Sequence, residues 1–178
     1  MLDAALAQLV QHGYDSLSID VVAERSGVHR TTVYRRWRDV GGLLADVLAE
    51  ASVDAWRPPD TGSLEGDLIA INHEVHAALT ADPVTVALIA ASFRSAQAAD
   101  ALRSFWAGRY DRCAEIVRRA VERREIPAGT DARRLLIAAT APLYHELVLM
   151  REAGDARGAE RVARSAATAA RAGAFTDR

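Results

Sequence analysis

One short stretch of the sequence, residues 29–38, is rich in arginine and contains no acidic residue. This stretch contains four arginines, Arg30, Arg35, Arg36 and Arg38, and no carboxylate. Because the whole chain has a formal net charge of -2, these four positive charges leave -6 on the remainder. A solvated helix face usually mixes both signs of charge. A one-signed basic stripe on an acidic body is instead the electrostatic pattern of a local contact with nucleic acid.

The other side chains of this stretch have the chemistry for contacting DNA. Arginine and threonine hydrogen-bond to base edges or phosphates in the major groove, and Tyr34 is long enough to reach a phosphate at the groove's rim. Val33 and Trp37 lie one turn apart and are expected to face the protein core. The predicted DNA-binding residues, with one at the start of the preceding helix, are Ser18, His29, Arg30, Thr31, Thr32, Tyr34, Arg35, Arg36 and Arg38.

Short helices must position these side chains. Apolar residues recur at intervals of three and four, which predicts α-helix. The first helix is expected at about 2–12 and is ended by Gly13 in a left-handed conformation. Ser18 is a good N-cap for a second helix, and Gly27 permits a sharp turn before a third helix at about 30–37. This arrangement predicts a helix-turn-helix, whose second helix lies in the major groove.

Over residues 1–50 the sequence resembles the tetracycline-repressor (TetR) family of transcription regulators. The shared pattern is a helix ending in Gly13 and Tyr14, a capped second helix, a turn at Gly27, and a recognition helix with Tyr34 and Trp37. The C-terminal part matches only in its helical rhythm. The resemblance implies a repressor that binds a palindromic DNA operator as a homodimer and releases it when an inducer, a small molecule not identified by the sequence, binds.

The sequence departs from the family pattern at three places. Val40 stands at the start of the fourth helix, where the family usually has a lysine on a phosphate, and Gly41 and Gly42 replace good helix formers. We therefore expect one DNA-backbone contact to be missing. His29 stands where a serine or threonine cap is common, so the recognition helix is expected to begin less firmly. Many relatives carry an upstream basic arm that enters the minor groove, whereas this sequence begins almost at the first helix.

The rest of the chain is also expected to be helical, which makes the predicted fold all-α. Asp39 can cap a fourth helix that ends by Trp56, because residues 58–62 (PPDTG) cannot continue a helix. The predicted domains are a helix-turn-helix DNA-binding domain, 1–50, and a helical-bundle domain for dimerisation and ligand sensing, 51–178. Its helices are expected at about 63–80, from 83, and at about 100–124, 131–153 and 156–172.

Histidines and polar-tipped aromatic residues on these later helices are candidates for lining a small-molecule site. By the arrangement of the resembled family their helices surround a cavity, although each of these residues could equally be core or surface. His73 and His76, together with His145 and Glu146, could also hold a metal ion. Such histidines are more often pocket or surface groups, so no metal and no cofactor are predicted. The predicted ligand-binding residues are His73, His76, Phe93, Trp106, Tyr110, Tyr144 and His145.

The last two helices are the predicted dimer interface. An apolar stripe on the first consists of Leu135, Leu136, Leu143 and Leu147. The resemblance implies that two copies form a four-helix bundle, which would hold the recognition helices about 34–36 Å apart. It also implies that an inducer shifts the fourth helix and changes this spacing. A small-residue face, along which another helix can approach closely, is formed on the last helix by Ala163, Ala166, Ala167 and Ala170.

Several classes of protein are excluded by missing motifs. The sequence has no glycine-rich phosphate loop, nucleophile elbow or recognised catalytic cluster, so no enzymatic activity is predicted. Its single cysteine, Cys113, is expected to be a small buried apolar residue. No apolar run approaches about 20 residues, and a cytoplasmic protein without a membrane partner is expected. The alternative is a helical scaffolding or small-molecule-binding protein without sequence-specific DNA binding.

Overall fold

The computed structural model describes residues 1–53 and 56–176, which form helices joined by short connections. Within this part of the chain the only β-type pairing is one isolated bridge, between Thr130 and Thr176. The all-α prediction is therefore confirmed. The helices are α1 (Leu2–His12), α2 (Ile19–Ser26), α3 (Arg30–Arg36), α4 (Val40–Val53), α5 (Leu64–Ala81), α6 (Pro83–Ser92), α7 (Ala96–Glu122), α8 (Ala132–Tyr144) and α9 (Ala156–Arg171).

Two helices begin at the caps that the sequence predicts. Ser18 Oγ accepts a hydrogen bond from the Val21 N–H at 3.2 Å and begins α2, and Asp39 Oδ1 accepts one from the Gly42 N–H at 2.9 Å at the start of α4. Gly13 ends α1 with a positive φ of 75°, but its ψ of 175° lies outside the left-handed helical region. The predicted left-handed cap at this residue is therefore wrong, because Gly13 leads the chain directly into a 3₁₀ turn over Tyr14–Ser16.

The chain packs into two compact units. The first consists of Met1–Ala55 and Asp82–Ala107, and the second of Trp56–Ala81 and Gly108–Arg178. Helix α7 contributes its beginning to the first unit and its end to the second. The predicted boundary after residue 50 separates a DNA-binding domain from a sensing domain by function, and it stays a prediction.

One hydrophobic core holds the helix-turn-helix together in the first unit. Leu9, Val22, Val33, Leu43 and Leu44, from α1 to α4, are each at most 2% exposed, and residues of α6 and early α7 complete the cluster. Fully burying such a side chain contributes about 1.5–3 kcal/mol. Helix α3 is thus fixed by its inner face, which leaves its outer face for binding.

The second unit is built from α5, the end of α7, α8 and α9. Asn72 on α5 is fully buried, and its Nδ2 donates to the carbonyl oxygens of Ala139 on α8, at 2.8 Å, and Ala159 on α9, at 2.9 Å. A buried amide with two such bonds fixes how the three helices meet. Among the described residues no single helix is long and apolar enough to cross a membrane; only α5 and α6, as a bent pair, have the length and composition.

The faces predicted to form the dimer interface lie within the protomer's own core. Leu135, Leu136 and Leu143 of α8 are at most 2% exposed, and the small alanine side chains let α9 approach α5 and α8 of the same chain. A sequence pattern cannot tell whether the helix that fills a small-residue face belongs to the same copy or to another. The buried alanines of α9 include Ala163, Ala166, Ala167 and Ala170.

The C-terminal end of α8 also differs from the prediction. The α-helix ends at Tyr144 rather than near residue 153, and a π-helical turn follows over His145–Leu149. Pro142 within the last turn of α8 has no N–H to donate, so the regular hydrogen-bond ladder is interrupted there. Leu147, predicted as the last member of the apolar stripe, lies in this π-turn and is half-buried.

Candidate functional site

The two helices of the helix-turn-helix are joined by a tight turn. Gly27 adopts the left-handed conformation, with φ 66° and ψ 17°, which a residue with a side chain adopts less readily. The Val28 N–H then donates to the carbonyl oxygen of Ala23 at 3.2 Å. Val33 and Trp37 are 0% and 3% exposed, so their predicted core role is confirmed. The predicted DNA-binding residues of this region that are exposed are His29, Arg30, Thr31, Thr32, Tyr34, Arg35, Arg36 and Arg38.

Arg36, the last residue of α3, is held by Asp46 of α4 and by the next residue, Trp37. Its Nη2 and Nε lie 3.2 Å and 3.3 Å from Asp46 Oδ2, and its guanidinium lies 4.7 Å from the centre of the Trp37 ring. The same Asp46 oxygen accepts a hydrogen bond from Trp37 Nε1 at 2.8 Å. Asp46 therefore holds both side chains, and the exposed ion pair is weak enough for a phosphate to replace it.

The remaining arginines of this surface have no such partner. Within the described part of the chain, the side chains of Arg30, Arg35 and Arg38 form neither a hydrogen bond nor an ion pair. Tyr34 differs, since its hydroxyl donates to Asp20 Oδ2 at 3.3 Å. Binding of another molecule by Arg30, Arg35 or Arg38 would therefore break no side-chain contact within the described part of the chain, and their role in DNA binding stays a prediction.

Two further predicted DNA-binding residues act as helix caps. His29 Nδ1 accepts from the Thr31 N–H at 3.4 Å, which is long for a hydrogen bond and agrees with the expectation that α3 begins less firmly. Ser18 accepts from Val21 and keeps its hydroxyl hydrogen, which can be donated to a phosphate. Both residues can therefore combine a cap with a contact to the DNA backbone.

The first turn of α4 lies very close to the connection between α6 and α7. A Cβ on Gly41 would clash with Ser95 Oγ and stand 2.8 Å from Gln97 Oε1, too close for either atom to stay in place. The glycine that departs from the family pattern thus allows this approach within the first unit. From the sequence alone Gly41 is only a poor helix former, because Ser95 lies far along the chain.

The predicted ligand-binding histidines lie in the second unit. His73 is exposed and its Nε2 lies 3.2 Å from Glu160 Oε1. His76 Nε2 lies 3.2 Å from the carbonyl oxygen of Gly154, and His145 is exposed in the π-turn. The described residues contain no group of three or more histidines, cysteines or carboxylates that could hold a metal ion.

The predicted aromatic ligand residues fall into two groups. Phe93 and Trp106 belong to the first unit, where Phe93 is 75% exposed and Trp106 stacks edge-to-face on Phe105 with ring centres 5.2 Å apart. Tyr110 and Tyr144 belong to the second unit and are close enough for burial and mutual repulsion to raise the pKa of Tyr144 above its ordinary range. The structure therefore brings together Tyr110 and Tyr144. A role in ligand binding stays a prediction for all of these residues.

Three charged residues of the second unit were not predicted from the sequence, and one of them, Arg109, lies near Tyr144. Arg109 Nη2 lies 3.5 Å from Glu74 Oε2, and the guanidinium of Arg109 lies 3.4 Å from the centre of the Trp56 ring. Arg112 is the third, and its Nε is buried. The signal was available, because Arg109 precedes the buried Cys113 by one helical turn and so stands on the apolar stripe of α7.

A shallow groove of about 690 Å³ lies on the outer side of α8 and the π-turn. Its wall is mostly apolar, and carboxylates stand at its edge. Ile137 is 39% and Met150 55% exposed there. The groove is lined by Ile137, Ala138, Ala141, Pro142, His145, Glu146, Met150 and Glu152.

Two family profiles match this chain. The family described as "Bacterial regulatory proteins, tetR family" matches residues 1–47. The family described as "Tetracyclin repressor-like, C-terminal domain" matches residues 58–166. The two matches include the helix-turn-helix and most of the later helices.

Individual relatives are similar over most of the chain. HTH-type transcriptional regulator AqdR of Rhodococcus erythropolis is 32% identical over 148 residues, which cover 82% of this chain and 70% of AqdR. DNA-binding transcriptional repressor TetR of Mycobacteroides abscessus is 36% identical over 163 residues, with 84% and 80% covered. The crystal structure of the TetR family transcription regulator SCO0332 is similar with a TM-score of 0.71 and 29% identity, covering 94% of both chains.

Proposed function

Because the chain belongs to the TetR family, and is therefore a helix-turn-helix regulator of transcription, we propose that it is a ligand-responsive repressor. It binds a palindromic operator in the cytoplasm as a homodimer and releases the operator when a small molecule binds. Regulators of this family are non-enzymatic DNA-binding proteins, in agreement with the sequence analysis. The alternative of a scaffold without DNA binding has no comparable support.

The observation that carries the DNA-binding proposal is that two adjacent arginines, Arg35 and Arg36, differ in their contacts within the protein. Arg35 is exposed without a side-chain partner among the described residues, whereas Arg36 is held against α4 by Asp46. A free guanidinium on a recognition helix can bind the O6 and N7 atoms of guanine together. We assign base reading to Arg35 and positioning on the DNA backbone to Arg36.

Dimerisation through the last two helices requires a face that the protomer leaves uncovered. The outer side of α8 and the π-turn offers one, since Ile137, Leu149 and Met150 remain 39–65% exposed. We assign the interface to this outer side, in place of the predicted faces that lie in the protomer core. Burying these side chains against a second copy removes apolar surface from water and stabilises the dimer.

Release of the operator requires that ligand binding favours a different position of α4. The first turn of α4 is packed on Ser95 and Gln97 without an intervening side chain at Gly41. A displacement of this α6–α7 connection would move α4, and with it the core that fixes α3. The ligand then weakens operator binding by the same factor by which the operator weakens ligand binding.

The test is to select DNA sites from random duplexes with the purified chain and to determine the mass of the complex. We expect a palindrome whose half-sites are about 10–10.5 base pairs apart, or a multiple of this distance, with two protomers on each site. Equal affinity for selected and random DNA at physiological salt would contradict sequence-specific regulation. One protomer on a non-repeated site would contradict only the homodimer.

A further inference from the structure

Polar groups converge on one side of α7 in the second unit. The Arg109 side chain is 26% exposed and lies 3.5 Å from Glu74 Oε2. Trp56 Nε1 donates a hydrogen bond of 2.8 Å to the same oxygen. Burial lowers the pKa of Arg109, Glu74 opposes this change, and the nearby Arg112 adds to it. The same Glu74 oxygen therefore contacts both the Trp56 indole and the Arg109 guanidinium. Because it is shared, it neutralises Arg109 only in part.

Arg112 brings a second guanidinium to the same place. Its Nε atom is buried and has no hydrogen-bond partner among the described residues. No carboxylate of the described residues forms an ion pair with it. Leaving a buried charged donor unpaired is costly, so this arrangement calls for an acceptor with negative charge.

The neighbouring titratable groups do not supply that charge. Cys113 is buried, and its burial raises the pKa of the thiol to about 11. Burial also raises the pKa of Tyr110 and of Tyr144. All three groups are thus neutral near pH 7, and Glu74 is the carboxylate paired with Arg109.

The helix leaves room beside Arg112. Gly108 lies within α7, where glycine is less favourable than alanine. A Cβ at this position would meet only Arg112 Nη1 within 4 Å, at 3.9 Å, so the space beside the guanidinium is open. A side chain larger than glycine would begin to fill it.

We propose that Arg109 and Arg112 bind the carboxylate of a small organic anion that has an aromatic or extended apolar body. Arg112 pairs with the carboxylate through its planar guanidinium, and Arg109 adds a second positive charge without leaving Trp56. This inference rests on the proposed ligand-responsive function and names the chemical class of the ligand. A purely structural pair of arginines would instead be needed for the stability of the empty protein.

The test uses matched pairs of carboxylate and neutral amide: 1-naphthoate with 1-naphthamide, and decanoate with decanamide. Melting temperature and Kd are measured for the full chain, for Arg112→Met, and for the control Arg118→Met. Arg118 lies on the same helix but is exposed and paired with Glu115 and Glu122. Operator binding is measured in parallel with each probe.

We expect at least one carboxylate to bind the wild type and the control more tightly than its amide does. Arg112→Met should weaken that binding by about 10- to 100-fold, the range for a lost charge-assisted contact, while the melting temperature of the empty protein stays equal or rises. Amides that bind as tightly as the carboxylates, or no binding by either carboxylate, would overturn the proposal. A large fall in the melting temperature of empty Arg112→Met would also overturn it. An amide that releases the operator would contradict the proposal that the ligand is an anion. It would still support the proposal that the protein is a ligand-responsive repressor.

Discussion

For single residues, the sequence predicts which side chains of α3 are buried better than it predicts what the exposed ones contact. Val33 and Trp37 stand one turn apart among polar residues, so their core role follows from helical period alone. The contact of Arg36 depends on Asp46, which comes from another helix and is brought there only by tertiary packing. The spacing of residues in the sequence cannot distinguish the contacts of Arg36 from those of Arg35, whereas the structure does.

Replacing each of these arginines by alanine tests the division between reading and positioning. Arg35→Ala should reduce discrimination at one symmetric pair of operator bases by about 1–3 kcal/mol, because a bidentate contact to guanine is lost. Arg36→Ala should weaken operator and random DNA by similar factors and leave the base preference unchanged. Binding curves on operators substituted one base pair at a time measure both effects. The reverse pattern, with base preference lost in Arg36→Ala, would show that Asp46 releases Arg36 to the bases.

For the helices, local signals predict the beginnings better than the ends. Ser18 and Asp39 cap α2 and α4 as the sequence suggests, because a cap depends on a few adjacent residues. The end of α8 is not predicted, since Pro142 and the π-turn interrupt an apolar pattern that continues beyond them. The close approach of other side chains to Gly41 also comes from a distant segment, the connection at Ser95.

A lysine at the first residue of α4 should restore the DNA contact that the family usually makes there. Val40→Lys adds one positive charge per protomer beside Asp39, and leaves the close packing at Gly41 intact. If this residue faces a phosphate, the slope of log K against log salt should steepen by about 1.8 per dimer, corresponding to two additional phosphates. Val40→Leu is the uncharged control. An unchanged slope for Val40→Lys would show that the helix start does not face the DNA backbone.

For the whole molecule, the sequence predicts which helical faces are apolar or formed by small residues. It does not predict whether the helix that covers such a face belongs to the same protomer or to another. The small residues of α9 fit a close helix contact, and the structure provides it within the protomer through α5 and α8. Likewise Arg112 looks like a surface residue from its position on α7, whereas its Nε is buried in the structure. Long-range packing decides both cases, and helical periodicity carries no information about it.

A charge on the outer side of α8 should separate the proposed dimer. Ile137→Asp places a carboxylate in an apolar groove that already has Glu146 and Glu152 at its edge, so association would bury an unpaired charge. Sedimentation should show monomers at concentrations where the wild type is dimeric, with loss of palindrome binding and unchanged helical content. Phe93→Asp, at an exposed apolar residue outside this groove, is the control. A dimeric Ile137→Asp would place the interface elsewhere.

The alkylation rate of the single cysteine can report local opening of the second unit. Cys113 is 4% exposed and its pKa is raised to about 11, and both features suppress alkylation, because the thiolate is the reactive form. Iodoacetamide should therefore label the protein only during transient separation of the surrounding helices. The labelling rate, compared with that of the unfolded chain, gives the free energy of this local opening. Any molecule that binds among α5, α7 and α8 should slow the reaction according to its occupancy, so binding can be followed by mass without an added reporter.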